Sequence, residues 1–116
     1  MLIPAESLPY FENMIYLPMV LTVFEQDRIK FVQLDVKLPR PYLNIIDGAI
    51  KAAQNDLKET KLYMRQHNYK IVRDSVDSTV TVYTFFFKGY EHQRRYLNVR
   101  LRNRCEELIE MYLAKA

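Results

Sequence analysis

The chain has 116 residues, 49% of them hydrophobic and 27% charged, with a formal net charge of +3 and a pI near 9.0. That length and balance describe one globular domain, 1–116, able to fold without disulfide or structural metal, and exclude an intrinsically disordered chain. The single cysteine, Cys105, excludes an intrachain disulfide, and two glycines leave little room for phosphate-cradling loops.

The first residues, Met1 to Glu6, lack the basic start and long apolar run of a signal peptide. The most apolar stretch, Met14 to Phe24, is about half the length of a membrane span and contains Pro18. The expected location is therefore cytoplasmic, with no membrane partner.

Residues 1–16, with Pro4 and Pro9, read as an irregular lead-in. Pro18 suits the first turn of a helix, where its missing N–H costs nothing. Leu17, Val20, Leu21, Phe24, Phe31 and Val32 then share one arc, so the spacing predicts a helix over 18–32 and an extended connector. The alternation Val32, Leu34, Val36, Leu38 keeps open a hairpin over 18–38, although Glu25 to Arg28 has no Gly or Asn for a tight turn.

Pro41 opens the next helix, 41–67, in which Leu43, Ile46, Ile50, Ala53, Leu57 and Met64 keep a helical rhythm. Ile45, Ala49 and Ala52 widen its apolar arc to nearly half the circumference, so it is packed on two sides, within the fold or by another chain. Tyr69 to Arg73 and Thr79 to Phe87 flank the turn-forming cluster 74–78 and read as a β-hairpin over 69–87. The last helix, 91–114, carries Leu97, Leu101, Cys105, Leu108, Ile109 and Tyr112 on one stripe. The class is α+β and mostly helical, in the order α-α-β-β-α, with Leu57 and Leu101 expected in the core.

No residue pattern points to catalysis. His67, His92 and Cys105 show no metal-ligand spacing, and a thiol within an apolar stripe acts as a small hydrophobe. Asp56 and Glu59, with Asp47 nine residues earlier, lie beside Lys58 and Lys61 and read as a solvated, ion-paired face. Ser7, Ser75 and Ser78 occupy no nucleophile elbow. The expectation is a protein that is not an enzyme and needs no cofactor and no metal.

Two readings of the end of the chain remain. From Lys88 to Arg104 stand Lys88, Arg94, Arg95, Arg100, Arg102 and Arg104 against Glu91 alone, interleaved with Tyr90 and Tyr96. Such a segment suits phosphate contact and stacking, as in a winged-helix-like nucleic-acid-binding regulator. On a helical wheel, however, the arginines edge both sides of the apolar stripe, and no helix-turn-helix precedes the hairpin. The same helix is basic early and acidic late, with Glu106, Glu107 and Glu110, against the preference of its dipole. Two antiparallel copies would bring the arginines of one chain to the glutamates of the other, which favours a homodimer, while pairs within the helix explain part of the pattern. Protein association, foremost self-association, is the preferred reading, and nucleic-acid binding the alternative.

The stretch Leu17 to Arg28, with Pro41-Tyr42-Leu43 and Asp56-Leu57 at matching distances, resembles the YhjD-like family of small uncharacterised proteins from spore-forming bacilli. The resemblance spans about the first two-thirds of the chain. It implies a bacterial cytosolic setting and carries over no functional residue.

Overall fold

The computed structural model describes residues 3–115. Their elements are α1 (Leu8–Val32), α2 (Arg40–Gln66), β1 (Lys70–Val76), β2 (Val80–Phe87), β3 (Tyr90–Leu97) and α3 (Asn98–Lys115). The class is α+β and mostly helical, as the periodicities imply, with a third strand between the hairpin and the last helix. The strands form one antiparallel sheet in the order β1-β2-β3.

Two expectations change. The segment read as lead-in joins α1 from Leu8 onward, and Pro18 lies inside that helix instead of opening it. An interior proline costs a helix about 3 kcal/mol. Burial on both sides of it, at Phe11, Ile15 and Leu17 before and at Val20 and Phe24 after, offsets that cost. Residues 33–39 form a non-helical connector rather than a strand, so the hairpin alternative for 18–38 is excluded.

The second change is at the end of the chain, where residues 91–97 are strand and the helix begins at Asn98. Lys88 and Gly89 both adopt positive φ, 48° and 78°, as a two-residue turn matched to the twist of a hairpin requires. The chain then folds back on β2, pairing Phe85 with His92, Tyr83 with Arg94 and Thr81 with Tyr96. Asn98 fastens the start of α3 to the β1–β2 turn. Its backbone N–H donates to the carbonyl of Thr79 at 2.8 Å, and its Nδ2 to that of Asp77 at 2.8 Å.

The core has two parts. Tyr83, Phe85 and Phe87 on one face of the sheet meet Phe11 and Ile15 of α1, Met64 of α2, Tyr69, and Leu101 of α3. The Phe11 and Phe85 rings stack 4.8 Å apart. Farther along the helices, Leu17, Val20 and Phe24 pack with Ala49 and Ala53 and with Cys105, Leu108 and Tyr112. Leu101 is buried, while Leu57 is half-buried because Ala53, Thr60 and Met64 take the inner positions of α2.

Candidate association surface

The strand at 90–97 redistributes the basic segment. Side chains alternate across a strand, so Arg94 and Arg95 point to opposite faces of the sheet. The Arg94 guanidinium lies on the core face, 5.7 Å from the Phe85 ring and 5.8 Å from the Tyr96 ring. Arg95 stands exposed opposite Val82 on the other face. In α3 the buried stripe of Leu101, Cys105, Leu108 and Tyr112 divides the remaining charges. Arg100, Arg104 and Glu107 line a groove of about 550 Å³ against Glu12 and Tyr16 of α1. Arg102 and Glu106 line a different groove, of about 650 Å³, against Met19, Val23 and Asp27. Glu110 is exposed beyond both. Arg104 finds its partner within its own helix, 3.1 Å from Glu107. The eight residues Arg94, Arg95, Arg100, Arg102, Arg104, Glu106, Glu107 and Glu110 thus form no single face, because a strand carries the first two and a buried stripe parts the rest.

The residues weighed for chemistry are held in structural roles. Burial pushes the Cys105 thiol up, so it is a neutral, apolar-like group at neutral pH. Tyr112 donates to Asp56 Oδ2 at 2.5 Å, and its own acidity is suppressed by burial first and by that carboxylate second. His67 Nδ1 sits 2.9 Å from the carbonyl of Tyr63, with its ring stacked on the Tyr63 ring at 3.9 Å. His92 is paired opposite Phe85 on the strand. Burial pushes Tyr96 up to about 12, and its hydroxyl has no hydrogen-bond partner among the described residues. Among those residues no three of His, Cys, Asp and Glu come together as metal ligands.

The largest anomaly lies elsewhere, at the tip of the α1–α2 hairpin. From Glu25 to Gly48 no residue is buried. Yet Ile29, Val32, Leu34, Leu38, Tyr42 and Ile45 are there, each between 44% and 69% exposed. The cause is architectural. α3 packs its buried residues no farther out than Phe24 and Ala49, so beyond them two helices stand without a third layer. What holds the tip together is the Arg28–Asp47 ion pair at 2.6 Å and the tilted Phe31–Tyr42 ring pair at 5.6 Å. The sequence signal for this surface was the wide apolar arc of the second helix. Leu34 and Leu38 gave a misleading one, because their alternation with Val32 and Val36 reads as a strand, while the observed connector pairs with nothing among the described residues.

A family model described as YhjD protein matches residues 2–116. The chain is similar to the "Uncharacterized protein YhjD" of Bacillus subtilis (strain 168), 36% identical over 102 residues that cover 88% of this chain and 85% of that one. No solved structure matches. The resemblance seen at Leu17 to Arg28 therefore extends over nearly the whole chain, and the relative is bacterial. No helix among the described residues is long and apolar enough to cross a membrane.

Proposed function

The chain belongs to the YhjD protein family, and we propose that it acts by protein association, its partner being a second copy of itself seated on the α1–α2 tip. The observation that carries this reading is the run from Glu25 to Gly48, in which no residue is fully buried and six large apolar side chains are exposed. Large apolar side chains left exposed at one end of a fold mark a candidate interaction site. Burying a wholly exposed side chain of this kind is worth about 1.5–3 kcal/mol, of which roughly half remains to be gained at these positions.

The charges on the tip suit a self-complementary contact. Glu25, Asp27, Asp35 and Asp47 balance Arg28, Lys30, Lys37 and Arg40, so two copies meet without net repulsion. A polyanion would need a concentrated positive face, and the divergence of Arg94, Arg95, Arg100, Arg102 and Arg104 supports protein over nucleic acid. The role is non-catalytic and cytoplasmic, and its biological setting is that of a bacterial cell.

Sedimentation equilibrium of the wild type beside Ile29→Glu and Leu38→Glu tests the reading. Both sites are solvated in the single chain, so each variant should keep its far-ultraviolet spectrum. Each should weaken the dimer by about tenfold or more, as truncation of an interface anchor does. A wild type monomeric at about 100 μM, or variants that dimerise as well as the wild type, would refute the proposal.

A further inference from the structure

The groove of about 650 Å³ between α1, the sheet and α3 has the dimensions of a small-molecule site. It exists because β3 runs into α3 without a loop, so the helix leaves the sheet at an angle fixed by Asn98. Its walls are apolar: Met19 and Val23 from α1, Tyr83 from β2, and Leu101, Cys105 and Ile109 from α3.

The polar groups of the groove are Thr81, Tyr83 and Asn98 together with the charged side chains of Asp27, Arg73, Arg102 and Glu106. Of the two arginines only Arg73 is paired across the sheet with a phenol. Thr81 and Asn98 are committed to each other, the Thr81 hydroxyl donating to Asn98 Oδ1 at 2.7 Å. Arg73 is not committed, and among the described residues it forms no ion pair, the pairs there being Arg28–Asp47 and Arg104–Glu107. Arg73 is the direct cross-strand partner of Tyr83. Both residues also flank Met19 on its other side, beside Ile15 and Ile71. A guanidinium fork and a phenol therefore stand together at the Met19 end of an apolar trough. Asp27 lies two helical turns farther along α1, about 12 Å beyond Met19, and gives the opposite end a negative charge.

We propose that this groove binds a monocarboxylate with an apolar body, its acid group held by Arg73 and Tyr83 and its chain laid along Met19, Val23, Cys105 and Ile109. Arginine offers a carboxylate two parallel charge-assisted hydrogen bonds, which a lysine or a neutral donor does not. Cys105 contributes a small uncharged surface. Apart from Arg73, the groove sets Asp27 and Glu106 against Arg102, a negative balance that disfavours a second acid group.

Calorimetric titration with decanoate, and with decanol as its uncharged counterpart, tests the assignment in the folded full-length chain. Decanoate should bind with one-to-one stoichiometry and about tenfold or more tighter than decanol. Arg73→Gln should remove that preference and leave decanol binding unchanged, while Val23→Trp should block both ligands by filling the trough. Should Val23→Trp unfold, Ile109→Trp on the opposite wall makes the same test. Saturable binding of neither ligand, or equal affinity for both in the wild type and in Arg73→Gln, would overturn the proposal.

Discussion

At the level of single residues, the apolar stripe of α3 and the polar residues that the fold buries behave oppositely. Leu101 joins the sheet to the helices within one cluster and is 4% exposed. Leu101→Ala should cost about 2–5 kcal/mol in chemical denaturation, since the rigid sheet on one side resists collapse into the cavity. A loss under about 0.5 kcal/mol would remove it from the core. Leu101 and Cys105 were legible because they repeat at helical spacing. Thr60 was not: at 1% exposed it is as buried as any leucine, yet nothing in its own identity says so. Its hydroxyl donates to the Asp56 carbonyl at 2.8 Å and accepts from Asn13 at 3.2 Å, and burial is tolerated only because both bonds exist. Such a position becomes visible once partners distant in sequence are known.

At the level of elements, the strand β3 shows where local reading stops. Tyr90, His92, Arg94 and Tyr96 alternate with Glu91, Gln93, Arg95 and Leu97, but no residue on either side is aliphatic before Leu97. With so little apolar contrast, the leucine stripe of α3 extrapolates backwards and hides the strand. What decides the conformation is pairing with β2, whose apolar face needs covering, and the positive φ at Lys88 and Gly89. A lysine at φ 48° is strained where asparagine is at ease. Lys88→Asn should therefore raise stability by about 0.5–1 kcal/mol, and a destabilised variant in urea titration would contradict that turn geometry. The β1–β2 turn has its own pH signature. Asp77 Oδ1 accepts the backbone N–H groups of Val80 and Thr79, each at 2.7 Å, and these bonds hold its carboxyl below the usual carboxylate range. A lowered folded-state pKa contributes stability above the unfolded value of about 4, and that contribution fades as the pH falls through the folded one. Asp77→Asn should flatten part of the acid limb of stability below about pH 4; an unchanged limb would deny the turn its role.

At the level of the whole molecule, the chain is long and thin. Its extents are 56 × 33 × 17 Å and its radius of gyration is 16.3 Å, against about 13 Å for a compact domain of this size. The excess follows from the α1–α2 tip, which projects past the last residues covered by α3. The helix count, the class and the length of α2 could be read from periodicity, because each element carries its own pattern. The bare tip could not, since whether an apolar face is covered depends on where α3 ends, a tertiary fact. For the arginines the wheel already sets them on both sides of the stripe, as Arg102 and the pair Arg100 and Arg104 are observed; only the strand that carries Arg94 and Arg95 stays hidden. Self-association through the tip is thus the central claim, and amide hydrogen exchange followed over protein concentration tests it most directly. Between about 1 μM and 100 μM, residues 25–48 should gain protection while the sheet and α3 stay unchanged. Protection that is independent of concentration at the tip, or that rises along Arg100 to Glu110 instead, would contradict the account.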